Sequence, residues 1–338
     1  MKRVGGLYEQ IGEPENLRLA FWKARRGKEG KPEVEEFRSR LDIEIGQLRH
    51  ALAGARVAWG DYYRFTVHDP KTRTICAAPF RDRVLHHAIM HVCEPVFERY
   101  QVFDSYACRK GKGLHACLDR ARQYTRRHAW YLKLDVRKYF DSISHRILLA
   151  QLRCRFKDER LMRLFESLLQ SYETESGHGI PIGNLTSQYF ANQYLAAMDH
   201  RIREILRIPG YVRYMDDFVL WADTREALRL ANDGLRSYCR DQLALELKPP
   251  ILNRAALGVT MLGYRVFPHT VRLAKRSRRR FAVKLQCYWR KLQEGEWNQD
   301  DFAAHVLPLT AYAGHARSTG FRLAVMEHIG CSPQARTA

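Results

Sequence analysis

The chain has 338 residues, of which 46% are hydrophobic and 11% aromatic, a composition that excludes a disordered protein and can fill a sizeable core. Its 57 Lys and Arg residues outnumber 37 Asp and Glu residues, which gives a formal net charge of +20. This excess favours a polyanionic partner, most often nucleic acid, over a basic enzyme that binds none.

The sequence also bears on location. No run approaches the ~20 apolar residues of a membrane span, and the N-terminus has no apolar signal segment. The eight cysteines form no CxxC pair, which favours reduced thiols in a reducing compartment. We therefore expect a cytoplasmic protein without a membrane partner.

The first sixty residues carry helical patterns. In LRLAFWKARRGKEG and VEEFRSRLDIEIGQLRHAL, apolar residues recur three and four positions apart, as they do on one face of a helix. Glycines and a proline mark the loop between the two stretches. These patterns predict a helical N-terminal extension over residues 1–60.

The next stretch alternates as a β-hairpin does. DYYRFTVHDPKTRTICAAPF occupies residues 61–80, with DPKTR at the expected turn. A helix is predicted over RDRVLHHAIMHVCEPVFERY, and a basic glycine loop, DSYACRKGKGLHAC, leads into another helix.

The middle of the chain mixes strands and helices. WYLKLDVRKYFDSISH begins as a strand that meets Asp135, and residues 147–172 are predicted to form one helix. A glycine-bounded turn, GHGIPIGN, then opens a long helix. YVRYMDDFVLW and LALELKPPILNRAALGVTMLGYRVF are predicted strands with a helix between them. Residues 271–291 carry nine Lys or Arg and no acid, and predict a basic helix.

Two adjacent acids, Asp216 and Asp217, interrupt the apolar strand pattern of YVRYMDDFVLW. A hairpin turn at Met215–Asp216 would place both at its tip, where they are partly solvated. Asp135 also ends an apolar strand and is a candidate third member. Three carboxylates form an oxygen-rich site suited to Mg²⁺, with Mn²⁺ as an alternative. Two such ions, about 3.5–4 Å apart, serve in-line phosphoryl displacement. The alternative is a solvated turn with an incidental acid pair.

These residues resemble a known family. YMDD, preceded by LKLDVRKYFDSI, resembles motifs C and A of reverse transcriptases. KTRTICAAPFRDRVLHHAI, DSYACRKGKGLHAC, GIPIGNLTSQYFANQYL and LGYRVFP resemble further blocks of the family in its order. The resemblance covers about residues 60–270. It implies RNA-directed DNA synthesis by an α+β right-hand polymerase fold, with an antiparallel palm sheet packed on helices and a short helical thumb.

The resemblance also implies a domain division. The fingers would span residues 61–130. The palm would span 131–268, with part of the fingers inserted at about 150–190, and the thumb would span 269–338. Within the thumb, TAYAGHARSTGFRL resembles the C-terminal helix of the family. The implied partners are template RNA, the RNA–DNA hybrid and dNTPs.

The resemblance assigns roles to individual residues. Asp135, Asp216 and Asp217 would be catalytic and hold two Mg²⁺ ions, together with the backbone carbonyl of Val136. The expected nucleotide-binding residues are Arg73, Arg81, Phe140, Ile182, Gly183, Gln188 and Lys248. Phe140 would exclude a ribose 2′-OH, and Lys248 would be the general acid, although LKPPILNR departs from the family pattern around it. The two prolines of this segment favour an edge strand or a loop. The expected nucleic-acid contacts are Tyr214, Met215, Gly263, Tyr264, Arg278, Arg279, Lys284 and His315.

The fourth block indicates a subclass. Ile182 stands where most reverse transcriptases have Gln, and Gln188 stands where they have Pro. This IGxxxSQ form is similar to the reverse transcriptases of diversity-generating retroelements. It implies copying of a template repeat RNA with errors at adenines, and a small basic accessory variability protein as partner. The 74 residues after Tyr264 suit a short thumb and disfavour group II intron and retroviral architectures.

Two alternatives stay open. The chain could be a reverse transcriptase of another bacterial class, namely a retron, phage-defence or CRISPR-associated enzyme. It could also be a non-catalytic RNA-binding protein built on a decayed polymerase fold, although the intact aspartates count against that reading.

Overall fold

The computed structural model describes residues 2–68 and 72–330. Its helices are α1 (Tyr8–Ile11), α2 (Pro14–Arg25), α3 (Pro32–Ser39), α4 (Leu41–Ala53), α5 (Phe80–Tyr100), α6 (Leu114–Arg127), α7 (Tyr139–Ser142), α8 (His145–Arg153), α9 (Glu159–Gln170), α10 (Leu185–His200), α11 (Arg225–Leu243), α12 (Lys275–Gln293), α13 (Gln299–Gly314) and α14 (Thr319–His328). Its strands are β1 (Tyr63–Val67), β2 (Arg73–Ala77), β3 (Trp130–Asp135), β4 (Gly210–Tyr214), β5 (Asp217–Ala222), β6 (Ile251–Arg254), β7 (Val259–Met261), β8 (Tyr264–Val266) and β9 (Val271–Leu273).

The strands form three sheets. Their orders are β1-β2, β4-β5-β3-β6 and β7-β8-β9, and the pairs β1–β2, β3–β6, β4–β5, β7–β8 and β8–β9 are antiparallel. Helices and antiparallel pairs in one chain define the α+β class that the sequence predicted.

The chain divides into two compact units. The first unit comprises Met1–Arg109, Asp135–Arg207 and Asp233–Lys248, and the second comprises the segments between and after them. These segments do not coincide with the predicted boundaries at 60, 130 and 268, so the names fingers, palm and thumb stay predictions.

The first unit is mainly helical. Four helices, α1 to α4, occupy the region for which a helical extension was predicted. Helix α2 begins with Pro14, a residue favoured at the first helical position, and buries Leu17 and Phe21. The Phe21 ring lies 5.6 Å from Phe37 and 6.0 Å from Phe80, which ties α2 to α3 and α5. The predicted β1–β2 hairpin is confirmed, while residues 69–71 of its predicted turn lie outside the described residues.

The prediction of one helix over 147–172 is wrong. The structure has α8 and α9, separated by a connection that ends at Asp158. The Asp158 carboxylate accepts a hydrogen bond from the Leu7 amide at 2.7 Å. Phe156, in the same connection, is buried with its ring 5.4 Å from those of Phe97 and Phe165. Contacts with distant residues therefore break a pattern that is locally helical.

The second unit contains the four-stranded sheet. Helix α6 packs on β4 at Gly210, where an added Cβ would lie 2.8 Å from Trp221 Cβ and 3.0 Å from Tyr124 Cδ1. Only a glycine permits this approach. Two prolines precede β6, an edge strand of the sheet, as the sequence predicted from their missing amide donors.

The C-terminal part of the second unit differs from prediction at two points. The basic stretch 271–291 begins as strand β9 before α12 starts. TAYAGHARSTGFRL, expected to belong to one helix, is divided between α13 and α14. His315 and Arg317 lie in the connection between the two helices. There the Arg317 amide donates a hydrogen bond to the Val271 carbonyl at 2.8 Å, so the connection contacts β9.

Candidate functional site

The two adjacent acids lie at a β-hairpin in the second unit. Tyr214 pairs with Asp217, and Met215 and Asp216 form the two-residue turn, so the predicted turn is confirmed. Met215 has φ of 56°, a left-handed conformation that costs a non-glycine residue about 1–3 kcal/mol and is concentrated at functional sites. Arg213 is fully buried and donates to the Met215 carbonyl at 3.1 Å. This arginine, missed from the sequence, stabilises the turn; its signal was a charge inside an apolar strand.

Asp217 has a cationic neighbour in the same unit. The Lys133 ammonium on β3 lies 3.0 Å from Asp217 Oδ2 and also donates to the Thr260 carbonyl at 2.7 Å. Both side chains of the ion pair are largely buried. Sequence reasoning did not select Lys133, although a lysine two residues before Asp135 in an apolar strand was a visible signal.

Asp135, in the first unit, pairs with the predicted general-acid lysine. The Lys248 ammonium lies 2.6 Å from Asp135 Oδ1, and the Lys248 amide donates to the Asp135 carbonyl at 2.9 Å. Val136 and Leu247 form an antiparallel bridge, flanked by the bond from the Arg137 amide to residue 246. In this pattern the Val136 carbonyl points away from the lysine-bearing segment, and its role as a metal ligand stays a prediction.

Arg236 supports the lysine-bearing segment. From α11 it donates to the Leu247 carbonyl at 3.2 Å and to the Lys248 carbonyl at 2.5 Å. These two hydrogen bonds hold residues 247 and 248 in the Val136–Leu247 bridge, which places Lys248 beside Asp135. No residue pattern indicates this role in advance, because the partners of Arg236 are main-chain oxygens.

The donor set suits a hard cation. Carboxylate and main-chain carbonyl oxygens are the ligands that Mg²⁺ prefers, so Asp135, Val136, Asp216 and Asp217 fit by chemistry. Among residues 2–68 and 72–330, however, no three His, Cys, Asp or Glu side chains form a ready-made metal cluster. Lysine ammonium groups contact one carboxylate oxygen of each of two of these acids, Oδ1 of Asp135 and Oδ2 of Asp217.

A cavity of about 800 Å³ in the first unit brings together two of the predicted nucleotide-binding residues, Arg73 and Ile182. Arg64 and Lys138 also line it and were missed. Three of these four residues are cationic. The remaining lining includes the hydroxyl side chains of Thr72, Thr74, Ser142, Tyr172 and Thr174 and the carboxylates of Asp141 and Glu175. Cations and hydroxyl donors in one cavity are suited to phosphate oxygens.

The structure places the other predicted nucleotide-binding residues in the first unit. Arg81 donates to the Ala58 carbonyl at 3.4 Å and lies 3.8 Å from the Asp82 carboxylate. Phe140 is half-buried in α7, and Gln188 is half-buried in α10.

The backbone conformation and the surroundings of Gly183 both require a glycine at this position. Its φ is +124°, and an added Cβ would lie 2.9 Å from Ile75 Cγ2 and 3.1 Å from the Cys76 carbonyl. The backbone of Gly183 therefore lies close to strand β2, where a side chain would not fit. An approach to the nucleotide or template at this position stays a prediction.

The predicted nucleic-acid contacts of the hairpins differ in exposure. Tyr214 and Met215 are half-buried. Tyr264 is fully buried and donates to the Tyr312 carbonyl at 2.6 Å, so its side chain packs β8 against α13. Gly263 has φ of +85°, and an added Cβ would lie 2.0 Å from the Tyr312 hydroxyl. The turn residues Leu262 and Gly263 are half-buried, and a contact of this turn with nucleic acid stays a prediction.

The predicted thumb contacts lie on or near α12. Arg278 and Arg279 are exposed and Lys284 is half-buried. The His315 ring stacks on His115 with centroids 4.1 Å apart. Burial and the neighbouring His115 lower the pKa of His315, which favours the neutral imidazole and weakens the prediction of a phosphate contact through its charge.

The comparisons with known proteins identify the family. The model of the reverse transcriptase (RNA-dependent DNA polymerase) family matches residues 68–266, more than half of the chain, and the chain therefore belongs to the reverse transcriptase family. With the sheets and helices described above, this membership confirms the predicted fold class.

Individual relatives are distant. Protein YkfC of Escherichia coli (strain K12) is 27% identical over 259 residues, which cover 62% of this chain and 66% of YkfC. The group II intron-encoded protein LtrA of Lactococcus lactis subsp. cremoris is 23% identical over 141 residues, which cover 40% of this chain and 24% of LtrA. The chain thus spans no more than about two thirds of the length of these relatives.

Among solved structures, the telomerase of Candida albicans in complex with a fragment of telomeric RNA matches with 11% identity and a TM-score of 0.45. The match covers 73% of this chain and 55% of the telomerase. Within the described part of the chain, no helix has the length and apolar character needed to cross a membrane.

Proposed function

We propose that the protein is an RNA-directed DNA polymerase that adds deoxynucleotides to a primer end by nucleotidyl transfer with two divalent ions. The observation that carries the proposal is the pair of acids at the β4–β5 turn, in a chain of the reverse transcriptase family. Asp135 ends β3, the neighbour of β5 in the sheet. Lys133, two residues before Asp135 in the same strand, bonds Asp217.

In this proposal Asp135, Asp216, Asp217 and the Val136 carbonyl hold the ions. Bound there, two Mg²⁺ ions would supply charge stabilisation at the attacking and leaving oxygens of the displacement. Lys248, beside Asp135, donates a proton to the departing pyrophosphate, and Arg236 holds the segment that presents it.

The cavity of the first unit is the proposed dNTP site. Arg73, Arg64 and Lys138 contact the triphosphate, because their charges line the cavity together and Arg binds phosphate oxygens bidentately. Arg81, Gly183 and Gln188 complete the site in the proposal. Phe140 closes over the sugar and excludes a ribose 2′-OH.

The template and the product hybrid are proposed to contact the second unit. The β4–β5 turn at Tyr214 and Met215 and the β7–β8 turn at Gly263 meet the primer end. The basic helix α12, with Arg278, Arg279 and Lys284, follows the hybrid backbone. Here α12 to α14 act as the thumb, and the four-stranded sheet acts as the palm.

For the biological role we propose cDNA synthesis from a template repeat RNA in a diversity-generating retroelement, with a small basic accessory protein as partner. The support is IGxxxSQ, with Ile182 and Gln188 at the two departures from the common pattern. An aliphatic Ile182 cannot hydrogen-bond the nucleotide, so a looser nascent pair is tolerated.

The second candidate is a reverse transcriptase related to intron-encoded proteins, which the similarity to LtrA favours. The DNA flanking the gene separates the two. A template-repeat and variable-repeat pair with a small accessory gene supports the retroelement, whereas an intron around the gene supports the second candidate.

The activity is tested by primer extension on an RNA template with Mg²⁺ or Mn²⁺. The wild-type protein should extend the primer, and Asp135→Asn and Asp216→Asn should abolish extension while RNA affinity is unchanged. Asp223→Asn is a matched control, because this exposed acid follows β5 and pairs with His128. A wild-type protein without extension activity contradicts the proposal, and extension by the Asp216 variant contradicts the site.

A further inference from the structure

Lys133 connects two hairpins of the second unit through one ammonium group. It lies in β3 and bonds Asp217, the first residue of β5, and the carbonyl of Thr260 in β7. Asp217 is 84 residues away along the chain and Thr260 is 127 residues away. A lysine ammonium has three donors, so both bonds form at once.

The environment distinguishes this lysine from an ordinary surface ion pair. Exposed pairs contribute about 0–1 kcal/mol because water screens them and their side chains stay mobile. The Lys133 side chain is 18% exposed and that of Asp217 is 20% exposed. Its second acceptor is a main-chain oxygen in a different sheet, whose position is fixed by the backbone.

The Thr260 carbonyl is closely linked to the β7–β8 turn. Thr260 pairs with Arg265, and Met261 pairs with Tyr264, so only Leu262 and Gly263 remain in the turn. Buried Tyr264 then anchors β8 on Tyr312. A movement of Thr260 is therefore transmitted to the turn over two residues of paired strand, Thr260 and Met261.

We propose that Lys133 is a positioning residue that fixes the β7–β8 turn relative to the Asp217 carboxylate. This inference rests on the proposed function, in which the two hairpins meet the primer end. Reaction requires the primer 3′-oxygen at its place beside the carboxylates, and displacements of about 1 Å can cost 10²-fold in rate. Lys133 thus sets the alignment of the primer end without touching it.

The position of Lys133 predicts which kinetic constant changes. Its two partners belong to the second unit, whereas the proposed dNTP cavity is lined by residues of the first. Loss of the bridge should therefore lower kcat and leave the KM for dNTP unchanged within about twofold.

The experiment compares Lys133→Met, which removes the ammonium and keeps the stem, with Lys133→Arg, which keeps the charge and several donors. We expect a decrease in kcat of about 10-fold or more for Lys133→Met and recovery of most of it in Lys133→Arg. Arg254→Met is the matched control, because it removes a cation from β6 of the same sheet that stacks on Trp130.

Hydrogen–deuterium exchange of the protein alone gives a readout that does not depend on activity. Amides of residues 259–266 and 214–218 should exchange faster in Lys133→Met and at the wild-type rate in Lys133→Arg and Arg254→Met. If the methionine variant does not fold, Lys133→Gln replaces it in both measurements.

The outcomes separate the two proposals. Unchanged exchange at 259–266, or a change in the KM for dNTP with kcat preserved, overturns the role of Lys133. A wild-type protein that does not extend primers contradicts the proposed function, whereas the exchange result still decides whether the bridge holds the two hairpins.

Discussion

The ammonium of Lys248 lies 2.6 Å from Asp135 Oδ1, and the main chains of the same two residues are joined by a second hydrogen bond of 2.9 Å. The lysine therefore stays beside the strand end that carries the acid even when its side chain moves. Because the Lys248 side chain is partly exposed, its ammonium can leave the carboxylate for a nucleotide phosphate while the backbone stays in place. This is the movement that a general acid needs.

Replacement of Lys248 tests that role. Lys248→Met should lower kcat by about 10²-fold, within the range typical of general acid catalysis, as measured in single-turnover nucleotide addition. Lys248→Arg keeps a cation beside Asp135 but cannot release a proton at neutral pH, so it should be almost equally slow. An arginine variant as fast as wild type would mean that Lys248 only neutralises Asp135.

A substitution at Ile182 tests the proposed cause of misincorporation opposite template adenine. It lines the cavity of the first unit, and Ile182→Gln would add an amide able to hydrogen-bond the incoming nucleotide. One such bond is worth about 1 kcal/mol, so misincorporation opposite template adenine should fall by roughly 5-fold. Sequencing of cDNA made on one RNA template measures this, and the other three template bases are the internal control. An unchanged adenine error rate would remove Ile182 from the explanation of fidelity.

Gly263 tests the packing of the β7–β8 turn. Gly263→Ala places a Cβ 2.0 Å from the Tyr312 hydroxyl at a φ of +85°. The unfolding free energy should fall by about 1–3 kcal/mol, as measured by urea denaturation. Gly314→Ala is the control, since an added Cβ there meets nothing within 4 Å and lies at the end of α13. Equal stability of both variants would show that the turn can move away from Tyr312.

The buried His86 side chain should make the free energy of unfolding depend on pH. It is fully buried in α5, and burial, with smaller contributions from His87 and Arg83, lowers its pKa from 6.5 to about 3. Between these values the unfolded chain binds a proton that the folded chain does not, so stability falls as pH falls below 6.5. At pH 5 the loss is about 2 kcal/mol relative to pH 7.5.

The measurement is urea unfolding at pH 7.5 and pH 5 for the wild type and His86→Phe. The phenylalanine fills the site beside Trp59, whose ring lies 5.5 Å from that of His86. Removal of the histidine should reduce the difference between the two pH values by about 2 kcal/mol. The same difference in both proteins would assign the acid sensitivity to other groups.

The sequence by itself determined the local features of the candidate site. Alternating apolar residues and the Met215–Asp216 pair defined the β4–β5 hairpin, and the apolar run before Asp135 defined the end of β3. Two prolines favoured an edge strand or a loop at the start of β6. These features depend on the period-2 geometry of strands and on turn preferences, which neighbouring residues specify without help from the rest of the chain.

The tertiary structure decided which side chains meet. Nothing near Lys133 or Arg236 in the chain indicates that they bond Thr260 and Lys248, and Arg64 joins Arg73 in the cavity only through folding. Asp158, bonded to residues about 150 positions earlier, broke a helix that local periodicity favoured. Hydrogen bonds and packing act over a few ångströms, so their partners become defined only when distant segments are brought together.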